Sequence, residues 1–132
     1  MPTKRLIPEV DFDSDLPPMD REQIDMLLMV DDGEDSHALI KELFQLFSGE
    51  SEEKLKGLSA ACAANDLLGV RKIVHFVAGS AGNLGLPRLA GFYRAVERAI
   101  DEGMLTDVRH CEAPIRSEFV EGCRAFREEF AI

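Results

Sequence analysis

The stretch His75-Phe76-Val77-Ala78-Gly79-Ser80-Ala81-Gly82-Asn83-Leu84-Gly85 decides how this chain is read. It sets an imidazole within a helical apolar pattern, a glycine four residues on, and a glycine-marked stop at its end. Helical side chains lean toward the N-terminus, so the residue at i+4 ordinarily covers the residue at i. Gly79 has no side chain with which to cover His75. A glycine inside a helix costs roughly 0.5–1 kcal/mol relative to alanine, so the pattern predicts a ring left open to a close partner.

Upstream, Leu67, Val70, Val74, Val77 and Ala81 recur at helical spacing and predict the buried stripe of this helix, with Asn65-Asp66 as its cap. At about 100° per residue His75 falls on the polar flank of that stripe. Lys72 and Gly79 lie further toward solvent, and Phe76 lies on the opposite flank, packed on a neighbour. Gly82 and Gly85 are expected to stop the helix, and Pro87 to open the next. That next helix has the stripe Leu89, Phe92, Val96, Ala99 and Ile100, ahead of Gly103. A last segment carries Val108, Cys111, Ile115, Phe119, Cys123, Phe126 and Phe130, and Pro114 should kink it or mark a restart.

Before the quoted stretch, a long helix is predicted from about Asp35 to Ala64. Its stripe is Leu39, Leu43, Leu46/Phe47, Lys54/Leu55, Leu58 and Cys62, with Gly49 as the place for a bend or break. An earlier helix should start at Met19 or Asp20, with Asp20 and Gln23 at capping-box spacing. Ile24, Leu27 and Leu28 form its apolar face, and it ends by Asp31-Asp32-Gly33. No segment alternates with period two between hairpin turns. The expected fold is all-α, an antiparallel four-helix bundle with an extra N-terminal helix over residues 19–132. Residues 1–18, rich in proline and acid, read as an extended arm with Leu6, Ile7, Val10 and Phe12 on the domain surface.

Composition removes several classes of function. The 132 residues carry a net charge of −10, no Trp and one Tyr, so nucleic-acid binding, which needs basic and stacking surface, is not expected. No apolar run reaches the ~18–20 residues of a membrane span, and Met1-Pro2-Thr3-Lys4-Arg5 does not open a signal peptide. Cys62, Cys111 and Cys123 have no metal-ligand spacing and read as small buried hydrophobes of a cytoplasmic protein. His37 and His110 lack companions at ligand spacing, so no metal site is expected.

Taken together, His75, Gly79, Ser80, Ala81, Leu84 and Gly85 resemble the phosphorylation motif of the histidine-containing phosphotransfer (HPt) family. That motif is a histidine, usually a lysine three residues on, a glycine four on, small residues, and a Leu-Gly or similar ending. The segments Leu39 to Phe47 and Leu89 to Glu97 look like the family's flanking helices, so the resemblance covers about residues 20–102. It implies a monomeric phosphocarrier with no nucleotide site and no cofactor of its own, relaying a phosphoryl group through His75. The partners implied are a response-regulator receiver domain, a hybrid sensor histidine kinase, or both, with Mg²⁺ held by the receiver.

The chain departs from the family at Ala78, where the usual lysine would lean over the imidazole and hold the phosphoryl oxygens. Arg71 and Lys72, one turn before His75, are candidates to replace that cation, against the alternative of a solvated basic flank. Ser80 is a candidate to bond the phosphoryl group, against a bond to its own backbone. The docking surface is expected to gather Lys72, Ala78, Gly79 and Gly82 around His75. Ala78 also sustains a different function, an HPt-like binding module that docks a receiver or kinase without phosphotransfer.

Overall fold

A computed structural model of the chain describes residues 6–12, 16–30 and 38–132, the side chains of 27–30 excepted. The elements are α1 (Arg21–Val30), α2 (Ala38–Leu55), α3 (Leu58–Ala63), α4 (Leu67–Leu84), α5 (Pro87–Asp101) and α6 (Glu112–Phe130), with no strand among the described residues. Helices α2, α4, α5 and α6 form the antiparallel four-helix bundle, and α1 is the extra N-terminal helix. The contact pairs Arg71–Asp101 and His75–Glu97 run α5 against α4, and Arg88–Glu118 and Tyr93–Ile115 run α6 against α5. Phe47–Phe119 and Phe44–Phe126 run α2 against α6, and Lys54–Phe76 closes the ring between α2 and α4. Helix α6 therefore sits diagonally across from α4.

Local chemistry sets the helix ends. The Asp20 carboxylate accepts from the backbone N–H of Glu22 at 3.0 Å and of Gln23 at 3.3 Å, capping α1. Gln23 does not return the favour as a capping box would; its amide donates to the Asn83 carbonyl at 3.0 Å and ties α1 to the end of α4. At the start of α4 the expected Asn65-Asp66 pair divides its work. Asp66 accepts from Gly69 N–H at 2.9 Å, while Asn65, in the left-handed region at φ 51°, accepts from Val108 N–H at 2.8 Å. Gly85, at φ 87°, caps α4, so Gly85 alone ends it and Gly82 lies inside the helix. Pro87 occupies the first turn of α5, and Pro114 lies in the first turn of α6, where a missing N–H costs nothing. Pro114 thus marks a restart and not a kink.

Three expectations need correction. The long helix breaks at Lys56-Gly57 and runs straight through Gly49. Of the expected stripe, Phe47, Leu55, Leu58 and Cys62 are buried. In the first turns the buried face lies one position round, at Ile40 and Phe44, so Leu39 and Leu43 are half-buried, Leu46 is 58% exposed, and Ser51 joins the buried face. The arm is also more than surface dressing: Ile7 and Val10 are each 1% exposed within the core, and the Phe12 ring meets Phe92 at 5.3 Å. The expected face residues Leu27 and Leu28, the stop at Asp31-Asp32-Gly33, the start at Asp35, and His37 lie outside the described side chains.

The core of α4 is Val70, Ile73, Val74, Val77, Ala78, Ala81 and Leu84. Burying a valine stabilises the fold by roughly 1.5–3 kcal/mol, so the valines on this face lock the rotation of α4 and with it the direction of His75.

Candidate functional site

His75 stands on the outer face of α4 with its side chain 68% exposed. A Cβ placed on Gly79 would meet nothing within 4 Å, so the space beside the ring is open, as its helical position predicts. The ring is nevertheless held. Its Nδ1 lies 2.8 Å from Oε2 of Glu97 on α5. An ionised carboxylate only accepts hydrogen bonds, so this contact assigns the proton to Nδ1 and leaves the lone pair on Nε2, facing solvent.

Glu97 is held in its turn. The same Oε2 forms an ion pair with Arg71, 3.1 Å from its Nη2. Arg71 also forks onto Asp101, donating from Nε to Oδ1 at 2.6 Å and from Nη2 to Oδ2 at 3.2 Å. The hydrogen bond from Arg71 holds the Asp101 carboxyl below its ordinary range, and Asp101 raises Arg71 in return. The chain Asp101–Arg71–Glu97–His75 is thus a ladder of charge-assisted contacts between α4 and α5, with the imidazole as its outermost member.

The residues expected around His75 divide accordingly. Arg71 is committed to two carboxylates, so it supports Glu97 instead of offering a free cation. Lys72 is exposed on the His75 face and has no ion-pair partner among the described residues. Ala78 is 2% exposed and belongs to the core, so the docking surface loses it. Gly79 is the open floor, and Gly82, in line with His75 two turns on, lies beneath the Arg94 guanidinium. Ser80 lies about 140° round the helix from His75. It faces a groove of about 180 Å³ shared with Leu43, Leu46, Phe47, Glu50, Asn83 and Leu84, and is not brought to the ring. Phe76 packs as expected, under Lys54 Nζ at 5.0 Å from its ring centre. His110 instead meets Glu9 of the arm, at 3.2 Å.

One participant is not legible in the sequence. Glu97 lies 22 residues from His75 and shares no motif with it. The missing signal is geometric, the register of the α4–α5 hairpin.

The Hpt domain model matches residues 42–131, and the chain belongs to that family. Among solved structures, the chain is similar to the crystal structure of histidine-containing phosphotransfer protein B (HptB) from Pseudomonas aeruginosa PAO1. The two share 26% identity with a TM-score of 0.69, over 86% of this chain and 94% of that one. No curated protein matches the sequence. Among the described residues, no helix is long and apolar enough to cross a membrane.

Proposed function

We propose that this chain relays a phosphoryl group between aspartates of receiver domains, or from a hybrid sensor kinase to a regulator, with His75 as the phosphoacceptor. Membership of the Hpt family supports histidine phosphotransfer in general. The observation that carries the assignment is the Nδ1–Glu97 contact, which leaves Nε2 as the available nucleophile above the open Gly79 floor. The Nε2 lone pair attacks the phosphorus of an aspartyl phosphate. The N–P bond forms, the P–O bond breaks, and its electron pair leaves with the aspartate carboxylate. Nδ1 keeps its proton, so the phosphorylated ring is cationic and is stabilised by the Glu97 carboxylate. Return of the group to a second aspartate is the same step reversed. Magnesium belongs, on this reading, to the receiver, and the relay is cytoplasmic, in keeping with three free, buried cysteines.

Incubation with a receiver domain phosphorylated by acetyl phosphate tests the proposal. Wild-type protein should acquire an acid-labile, alkali-stable label that His75→Gln does not. Equal labelling of the two proteins would refute it. Tight docking of that receiver without any label would establish the binding module instead.

A further inference from the structure

A chain of net charge −10 that receives an anionic group must arrange local positive charge where the donor arrives. Arg71 cannot supply it, because Glu97 and Asp101 already occupy its guanidinium. Among the described residues, Lys72 supplies one free cation on the N-terminal side of His75; on the other side stands Arg94 of α5, which is exposed and has no carboxylate within ion-pair distance.

Its placement is specific. The α4–α5 hairpin turns at Gly85-Leu86, and residues equidistant from the turn face each other: Arg71 with Asp101 and His75 with Glu97. By that register Arg94 lies opposite Ala78. Side chains of α5 lean toward its own N-terminus, which in an antiparallel pair is toward Gly82 of α4. There the guanidinium comes to rest: a Cβ on Gly82 would lie 2.9 Å from Nη2 and 3.6 Å from both Cζ and Nη1. Any side chain at position 82 would displace it. Gly82 follows His75 by seven residues, two turns on the same face and about 10 Å along the axis. Between them lies Gly79, with nothing within 4 Å of its would-be Cβ. The imidazole bounds one end of the open floor and the guanidinium bounds the other.

We propose that Arg94 is a positioning residue that receives the anionic surface around the partner's aspartyl phosphate as that partner closes over Gly79. The proposal rests on phosphotransfer through His75. At two turns' remove, Arg94 acts on encounter and docking, not on the reacting phosphorus. It therefore changes the second-order transfer rate, while the rate at saturating donor is set by His75 and Glu97.

The test uses the full chain and a receiver domain phosphorylated with acetyl phosphate, chosen because it labels the wild type. Arg94→Glu, Arg94→Lys and Arg124→Glu are compared. Arg124 lies on α6, diagonal to α4, and gives the same change in net charge away from the site. At low salt Arg94→Glu should lower the second-order rate about tenfold, and the deficit should shrink below about twofold in 1 M salt, where the screening length is ~3 Å. Arg94→Lys should retain most of the rate, Arg124→Glu should lose less than about twofold, and the saturating rate of Arg94→Glu should stay within about twofold of wild type. Equal slowing by Arg124→Glu, a loss unmoved by salt, or a loss in the saturating rate would each overturn the role. If no receiver labels the wild type, the phosphotransfer reading itself fails and Arg94 falls with it; if labelling is normal and Arg94→Glu is unaffected, only Arg94 falls.

Discussion

At the scale of single residues, the site couples a nucleophile to the carboxylate that selects its tautomer. Glu97→Ala removes the acceptor for Nδ1–H and the charge that stabilises the phosphorylated ring. A hydrogen bond to a charged group contributes about 1.5–3 kcal/mol, so the transfer rate should fall about 10- to 100-fold in stopped-flow labelling. Glu97→Gln, whose amide oxygen still accepts, should recover part of that loss. Gly79 gives a prediction in which stability and activity move in opposite directions. Gly79→Gln fills open space and improves helix propensity by about 0.5 kcal/mol, so the melting temperature should rise slightly. Its side chain would cover the ring, so labelling should be lost; unchanged labelling would sink the steric account. His75 and Gly79 were legible in the sequence because four residues is one helical turn. Glu97 was not, because its pairing exists only once the two helices are in register.

At the scale of elements, the hairpin supplies the rule that makes such pairs readable. Gly85 and Pro87 announce the turn, and positions equidistant from it face each other, so His75 and Glu97 could be matched once the turn is placed. Helix α2 was harder to read because its apolar residues come in adjacent pairs, Leu39-Ile40, Leu43-Phe44 and Leu46-Phe47, which support two overlapping stripes. The register that wins also buries a polar residue, Ser51, which disguises it. The arm hides its packing for a related reason. Ile7 and Val10 sit one turn apart, with Val10 N–H donating to the Ile7 carbonyl at 3.0 Å, and Gly91 of α5 leaves room for Phe12 and Leu16 above it. Short segments of this kind carry too few residues to show a period. Ile7→Ala should cost about 2–4 kcal/mol and lower the melting temperature by about 8–15 °C. A shift of a degree or less in a thermal melt would show that the arm is not part of the core.

At the scale of the whole molecule, acidity and thiol chemistry follow from charge placement and burial. Glu53, Asp101, Asp107 and Glu121 are each held below the ordinary carboxylate range, chiefly by side-chain hydrogen bonds to Lys56, Arg71, Arg109 and Arg124. Carboxyls depressed on folding contribute stability that is fully present above their unfolded values and lost as pH falls through the folded ones. Thermal stability should therefore be level from about pH 6 to pH 5 and decline below about pH 4.5. A melting temperature that holds to pH 3 would contradict this. Burial pushes the Cys111 thiol up to about 12 and the Cys123 thiol to about 11, and also raises Cys62. None should react with a thiol reagent at neutral pH until the protein is unfolded.

The most direct measurement of the central claim is nitrogen-resolved NMR of the phosphorylated protein with ¹⁵N-labelled histidine. Phosphorus should couple to Nε2 of His75 while Nδ1 keeps its proton toward Glu97. Phosphorus on Nδ1, or on any residue other than His75, would contradict the account.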